Sequence, residues 1–213
     1  MLLQPEQIEC VFRKVIAARQ HMATRLPGRG GENVNPADFA DVIADMYGLK
    51  IEMYEVSTGG GQLVAGNVER YEDGRAVILV QSQQTEATIR LVAVKELCHL
   101  MNDEQDDWSS NALETIREMK IEFDLAHANG QGVSNPSRTQ VSEIMAFVAA
   151  IAILYPCEFH AADRAKLEKN ETSFAKIALD HEIPAWAVEN AHAHRTLYEL
   201  YLELEEKPSP PRT

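Results

Sequence analysis

Residues 89–102 read Ile-Arg-Leu-Val-Ala-Val-Lys-Glu-Leu-Cys-His-Leu-Met-Asn, and this run constrains the chain more than any other. It suits one amphipathic helix carrying Lys95, Glu96 and His99. Residues four apart lie one turn apart on the same helix face, so positions 95 and 99 can reach one metal ion. Two imidazoles at that spacing would be ligands, and a Glu beside the first would sit near a metal-bound water as general base. Here the ammonium of Lys95 stands where the first imidazole would be. The run keeps the frame of a metal-binding helix and changes one of its two nitrogen ligands.

The 213 residues are enough for one good core, or for one domain with an appendage. With 20 Lys and Arg against 33 Asp and Glu, the net charge is −13. That is a poor match for phosphate backbones or anionic membranes, so neither nucleic acid nor membrane is expected as a partner. It favours solubility and a basic partner. No run approaches the roughly 18 apolar residues of a membrane span. The start, Met-Leu-Leu-Gln-Pro-Glu-Gln, lacks the basic and apolar regions of a signal peptide. Cys10, Cys98 and Cys157 are far apart and odd in number. A reduced, cytoplasmic location is the simplest expectation.

Along the chain, Ile8, Val11, Phe12, Val15 and Ile16 make one apolar face of a helix over residues 5–25. Residues 27–31, Pro-Gly-Arg-Gly-Gly, break it and read as a mobile loop. Asn35-Pro36 opens a second helix through Phe39, Val42, Ile43 and Met46, with Gly48 as its stop. Residues 49–56 alternate as a half-buried strand. The three glycines at 59–61 are a turn, and residues 62–70 are a second strand. Glu72-Asp73-Gly74 is a tight turn before the apolar run 76–80. These predict a three-stranded, mainly antiparallel sheet.

The acidic stretch 102–107 reads as a solvated helix end, and Ser109-Ser110 can cap a helix over 113–128, ended by the glycines at 130 and 132. Residues 138–155 predict a very apolar helix, central to the core and stopped by Pro156. Further helices fit 172–180 and 184–206, and residues 207–213 read as a disordered tail. Segments 174–179 and 185–192 could mimic a helix-turn-helix, but the acidic balance argues against DNA binding.

The order of these elements resembles the ImmA/IrrE family of metallopeptidase domains. The resemblance covers about residues 35–156, with a looser helical extension over 157–206, within one domain spanning 1–206. In that family a helix precedes a three-stranded sheet and a His-Glu-x-x-His helix, and a later helix has the form Glu-x-x-Ala-x-x-Phe-Ala-x-x-Leu-x-x-Pro. Here the later helix reads Ser142-Glu-Ile-Met-Ala-Phe-Val-Ala-Ala-Ile-Ala-Ile-Leu-Tyr-Pro156. The resemblance implies an α+β fold, mostly helical, with a small antiparallel sheet packed on a zincin-like active-site helix. It implies Glu143 as third metal ligand beside His99, with Glu96 as general base. The departures are Lys95 and Cys98, where the family has His and usually Gly.

Two readings follow. In the first, the chain is a degenerate, non-catalytic relative of zinc metallopeptidases that binds or regulates a protein. The ammonium of Lys95 then neutralises a metal-free pocket by pairing with Glu143, Glu96 or both. In the second, it is an active zinc endopeptidase with an altered ligand set, cleaving a protein such as a transcriptional repressor. For Lys95 itself to bind zinc it must lose a proton, at a cost of about 4–5 kcal/mol near pH 7. Two remaining protein ligands, His99 and Glu143, fall short of the three a catalytic zinc takes. The metal-free reading is preferred, with zinc kept as the alternative. Cys98 is expected to be buried as a small apolar residue. His127, His160, His181, His192 and His194 have nothing in sequence to place them in the pocket, and His192 and His194 read as surface residues.

Overall fold

A computed structural model describes residues 4–26, 34–57, 65–103 and 138–207. The expectations for 27–31, 59–61, 62–64, 104–107, 109–110, 113–128, 129–132 and 208–213 lie outside the described residues. Helix α1 spans Pro5–Arg25 and buries the predicted face, Ile8, Val11, Phe12, Val15 and Ile16. Helix α2 spans Pro36–Tyr47. The Asn35 side chain accepts from the Ala37 N–H at 2.8 Å, satisfying a donor that the first turn leaves unpaired. Gly48 ends the helix in the left-handed region, φ 66°, where a side chain would be strained.

Strands β1 (Lys50–Val56), β2 (Gly66–Arg70) and β3 (Arg75–Gln81) form one sheet in the order β1-β3-β2. The pairing is mixed, not mainly antiparallel. The turn at Gly74 folds β2 and β3 into an antiparallel hairpin, while β1 runs parallel to β3 on its other side. β3 is thereby paired on both edges, which suits its unbroken apolar run. Its Ala76, Ile78 and Val80 are buried, and the alternate Val77 and Leu79 are not.

Helix α3, Glu86–Asn102, lies against β2 and β3, and is capped by the Thr85 hydroxyl at its N-terminus. Its Arg90 donates to the carbonyls of Val34 (2.9 Å) and Glu182 (3.0 Å), clasping distant turns onto the helix. Helix α4, Arg138–Leu154, packs along α3 and is buried from Val148 onward. The chain bends by 76° at Tyr155-Pro156 into α5, Cys157–Glu168.

Sequence reading left residues 157–168 without an element. The side chains α5 buries fully are Cys157, His160 and Asp163, with Phe159 and Leu167 packed on the core at its edge, so its apolar signal is weak. α6 (Phe174–Asp180), α7 (Ala185–Ala193) and α8 (Arg195–Glu205) complete the described residues. The single helix expected over 184–206 is split at His194, and Pro184 caps α7 from outside. Tyr198 and Tyr201 of α8 are buried against Phe12 of α1, Tyr201 edge-on at 5.6 Å. Among the described residues, no single helix is long and apolar enough to cross a membrane.

Candidate functional site

The structure brings Lys95, Glu96, His99 and Glu143 together where α3 packs on the N-terminal half of α4. Lys95 Nζ donates to Glu143 Oε2 at 2.5 Å and lies 3.1 Å from Glu96 Oε1. His99 Nε2 faces the other Glu143 oxygen at 3.2 Å. Its Nδ1 is 2.9 Å from Asp103 Oδ2, and Ser142 Oγ donates to Asp103 Oδ1 at 2.6 Å. Arg70, at the end of β2, donates to the His99 carbonyl and approaches Asp103 Oδ2 at 3.9 Å. Cations and carboxylates therefore alternate through a largely buried group. Lys95 and Glu143 are the partly open members, with side chains 12% and 15% exposed, against 4% for Glu96 and 5% for His99.

Backbone geometry places these groups. Lys95, His99 and Asp103 follow one i, i+4 stripe of α3, which turns all three towards α4. Ser142 and Glu143 are adjacent on α4: Ser142 reaches Asp103 and His99 Nδ1 (3.2 Å), Glu143 reaches Lys95 and His99 Nε2. β2 presses close behind at Gly66. A Cβ there would overlap Val92 Cγ1 and sit 2.9 Å from Glu96 Oε1, so the close approach needs glycine.

Burial alone would push the His99 imidazole towards neutrality. The Glu143 and Asp103 carboxylates outweigh it and push its pKa up to about 10. Lys95 follows the same logic: burial opposes its charge, and Glu143 and Glu96 more than restore it, so its pKa is raised. Burial disfavours the charged form of Glu143, yet Lys95 and His99 together hold its carboxyl well below the usual range. Near neutral pH Lys95, His99 and Glu143 are therefore all held in their charged forms. Cys98 is fully buried, and burial pushes its thiol up. It behaves as a small apolar residue of the core.

The lattice can be tested as a metal site from its donors. His99 Nε2 and Glu143 would provide two protein ligands, where a catalytic zinc takes three. The third position carries an ammonium that is bonded to Glu143 and holds its proton more tightly than a free Lys does. His99 would also have to release a proton, because metal binding needs neutral imidazole. Among the described residues, no group of three or more His, Cys, Asp or Glu is arranged to hold a metal ion. With two ligands and an ammonium in the third place, this donor set falls short of the three a catalytic zinc takes.

Sequence reasoning missed Asp103, Ser142 and Arg70. Asp103 was grouped with the solvated acidic stretch, yet its side chain is only 8% exposed. Its spacing of four from His99 was the available signal. Arg70 had none, because only the hairpin brings it under α3. His160, His181 and His192 lie elsewhere, around Tyr155 at the far end of α4. His192 is not a surface residue: its Nε2 is 3.0 Å from the Tyr155 hydroxyl. No known protein family and no curated protein matches the chain.

Proposed function

We propose that this protein is a non-catalytic relative of the ImmA/IrrE-type zinc metallopeptidases, acting as a binding or regulatory protein on a protein partner. One observation carries the reading: the Lys95 ammonium sits between Glu143 and Glu96, the carboxylates that the resemblance assigns to metal and base. A fixed monovalent cation there balances the buried negative charge without supplying an open coordination position. A reducing, cytoplasmic setting agrees with Cys10, Cys98 and Cys157 being free thiols.

The competing reading is an active zinc endopeptidase with an altered ligand set, cleaving a protein such as a repressor. It is favoured by two buried atoms, His99 Nε2 and Glu96 Oε1, that lack an aligned hydrogen bond among the described residues.

Metal content by mass spectrometry separates the two. Protein is purified without chelator or His tag, dialysed against zinc and washed. The proposal expects no retained zinc in the native chain and about one zinc per chain in Lys95→His, following the three-ligand rule. Stoichiometric zinc in the native chain, lost in His99→Ala, would overturn it in favour of the peptidase. If neither protein retains zinc, the carry-over of Glu143 as a ligand fails.

A further inference from the structure

The sheet has a second face, turned away from α3. Strand register assigns it: Glu52 and Glu69 lie on either side of Val77, and Tyr54 lies beside Leu79. Val56 extends the same row on β1. Among the described residues, Val56, Val77 and Leu79 are half-buried and lie outside the core, whereas Ile51, Met53 and Val68 of the opposite face pack on it. Tyr54 is 51% exposed, the most open of the aromatic side chains on this face.

The polar groups around this apolar strip are uneven. The cationic residues of this face, Lys50 and Arg75, are paired neighbours at the hairpin end. Arg75 is already bonded to Asp73 at 2.8 Å. Beyond them Glu52 and Glu69 flank the strip, on two edge strands about 9–10 Å apart. Each is held by a tyrosine two residues on: Tyr54 donates to Glu52 at 2.7 Å, Tyr71 to Glu69 at 2.8 Å. Each carboxylate keeps its second oxygen for another donor. An apolar strip rimmed by polar groups is the anatomy of an interaction surface.

We propose that this face docks a basic amphipathic segment of a protein partner, its aliphatic side chains on Val77 and Leu79 and its Lys or Arg side chains on Glu52 and Glu69. The charge of the whole chain, −13, favours the same sign of partner and speeds its approach. Glu52 and Glu69 disfavour nucleic acid and anionic lipid, and a second copy of the face is left as an outcome of the test. The inference does not depend on whether Lys95 excludes a metal, since the two faces of the sheet are opposite.

The probe is a fluorescein-labelled amphipathic helix of leucine and lysine, titrated with full-length protein by anisotropy at 150 mM salt. Glu52→Lys with Glu69→Lys should weaken binding by about tenfold or more, as loss of complementary charges does. Glu203→Lys with Glu206→Lys, the same charge change at the C-terminal end of α8, should weaken it by less than about threefold, the residue of screened long-range attraction. Replacing the leucines of the probe by serine, which leaves the protein untouched, should also weaken binding by about tenfold or more. No binding by the native chain, equal loss in both Glu pairs, or indifference to the leucines would each overturn the proposal. So would a native dimer that Glu52→Lys with Glu69→Lys dissociates, because the face would then be a self-interface.

Discussion

Helix α4 carries a polar cluster at each end, and the two follow opposite electrostatic rules. At its N-terminal end Ser142 and Glu143 join the Lys95/His99/Asp103 lattice, where Lys95, His99 and Glu143 are held charged. At the other end the Tyr155 hydroxyl donates to Asp163 Oδ2 at 3.0 Å and meets His192 Nε2 at 3.0 Å. The His160 ring stacks on Tyr155 at 4.2 Å and its Nε2 donates to the Tyr155 carbonyl at 3.1 Å. Both histidines, His99 and His160, are buried. His99 is pushed up to about 10, and His160 down to about 4.

The difference is where the carboxylates point. Two of them, Glu143 and Asp103, lie close to His99, one beside each nitrogen at 3.2 and 2.9 Å. At the other end, among the described residues, the buried Asp163 carboxylate accepts the Tyr155 hydrogen bond instead. Burial is then the largest influence on His160, with His192 and Arg164 adding to it. Burial by itself does not make a histidine neutral; it does so only where no anion has been aimed at the ring.

The largest test of this contrast is Lys95→Met. It leaves Glu96 and Glu143 buried with a cation missing, and should cost about 3–5 kcal/mol in urea unfolding. Lys95→Met with Glu143→Gln should recover most of that loss. If the single change costs less than about 1 kcal/mol, the lattice is not the buried ionic system described here.

Tyr155→Phe tests the neutral end. Asp163 and His192 each lose a partner, so about 1–3 kcal/mol should go. The loss should be the same at low and at 0.5 M salt, since Tyr155 carries no charge. A loss that changes with salt would erase the distinction between the two ends.

The last test is in the pH profile. His99 has a folded value above its ordinary 6.5, so its support is complete below pH 6.5 and is lost as pH rises towards 10. The fall should be about 1.4 kcal/mol per pH unit between pH 7 and 9. His160 has the opposite sign: stability is lost as pH drops from 6.5 towards 4. Glu143, whose value is lowered, gives support that is complete above its ordinary 4.5 and fades in stronger acid. Stability should therefore peak near pH 6.5, as read from unfolding curves across pH. His99→Gln should flatten the alkaline limb only. An unchanged alkaline slope in that variant would mean that His99 is not held protonated.

Much of the fold was legible because it is written in local periodicity. The inward faces of α1 and α2, the Asn35 cap, the Gly48 stop, the β2–β3 turn and the extent of α4 all follow from residues within a turn or two of each other. The site was half legible for the same reason. Lys95, Glu96 and His99 share a helix, and Glu143 heads the apolar half of α4. Asp103 lay on the same stripe, yet its acidic neighbours made it read as solvent-facing.

What the tertiary structure decided is everything that depends on distant backbone. The parallel pairing of β1 with β3 requires β2 to cross to the far edge, and no residue of β1 encodes that. α5 was legible only as part of a loose helical extension, because His160 and Asp163 become inward-facing only when Tyr155 and α7 supply partners. Arg70 and Gly66 meet α3 only once the hairpin is laid across it. The sequence by itself determined which side chains could carry charge at the site. Packing of α3 against α4 determined that they do, because the energy of a buried charge is set by the distance and direction of its counter-charge and not by its own chemistry.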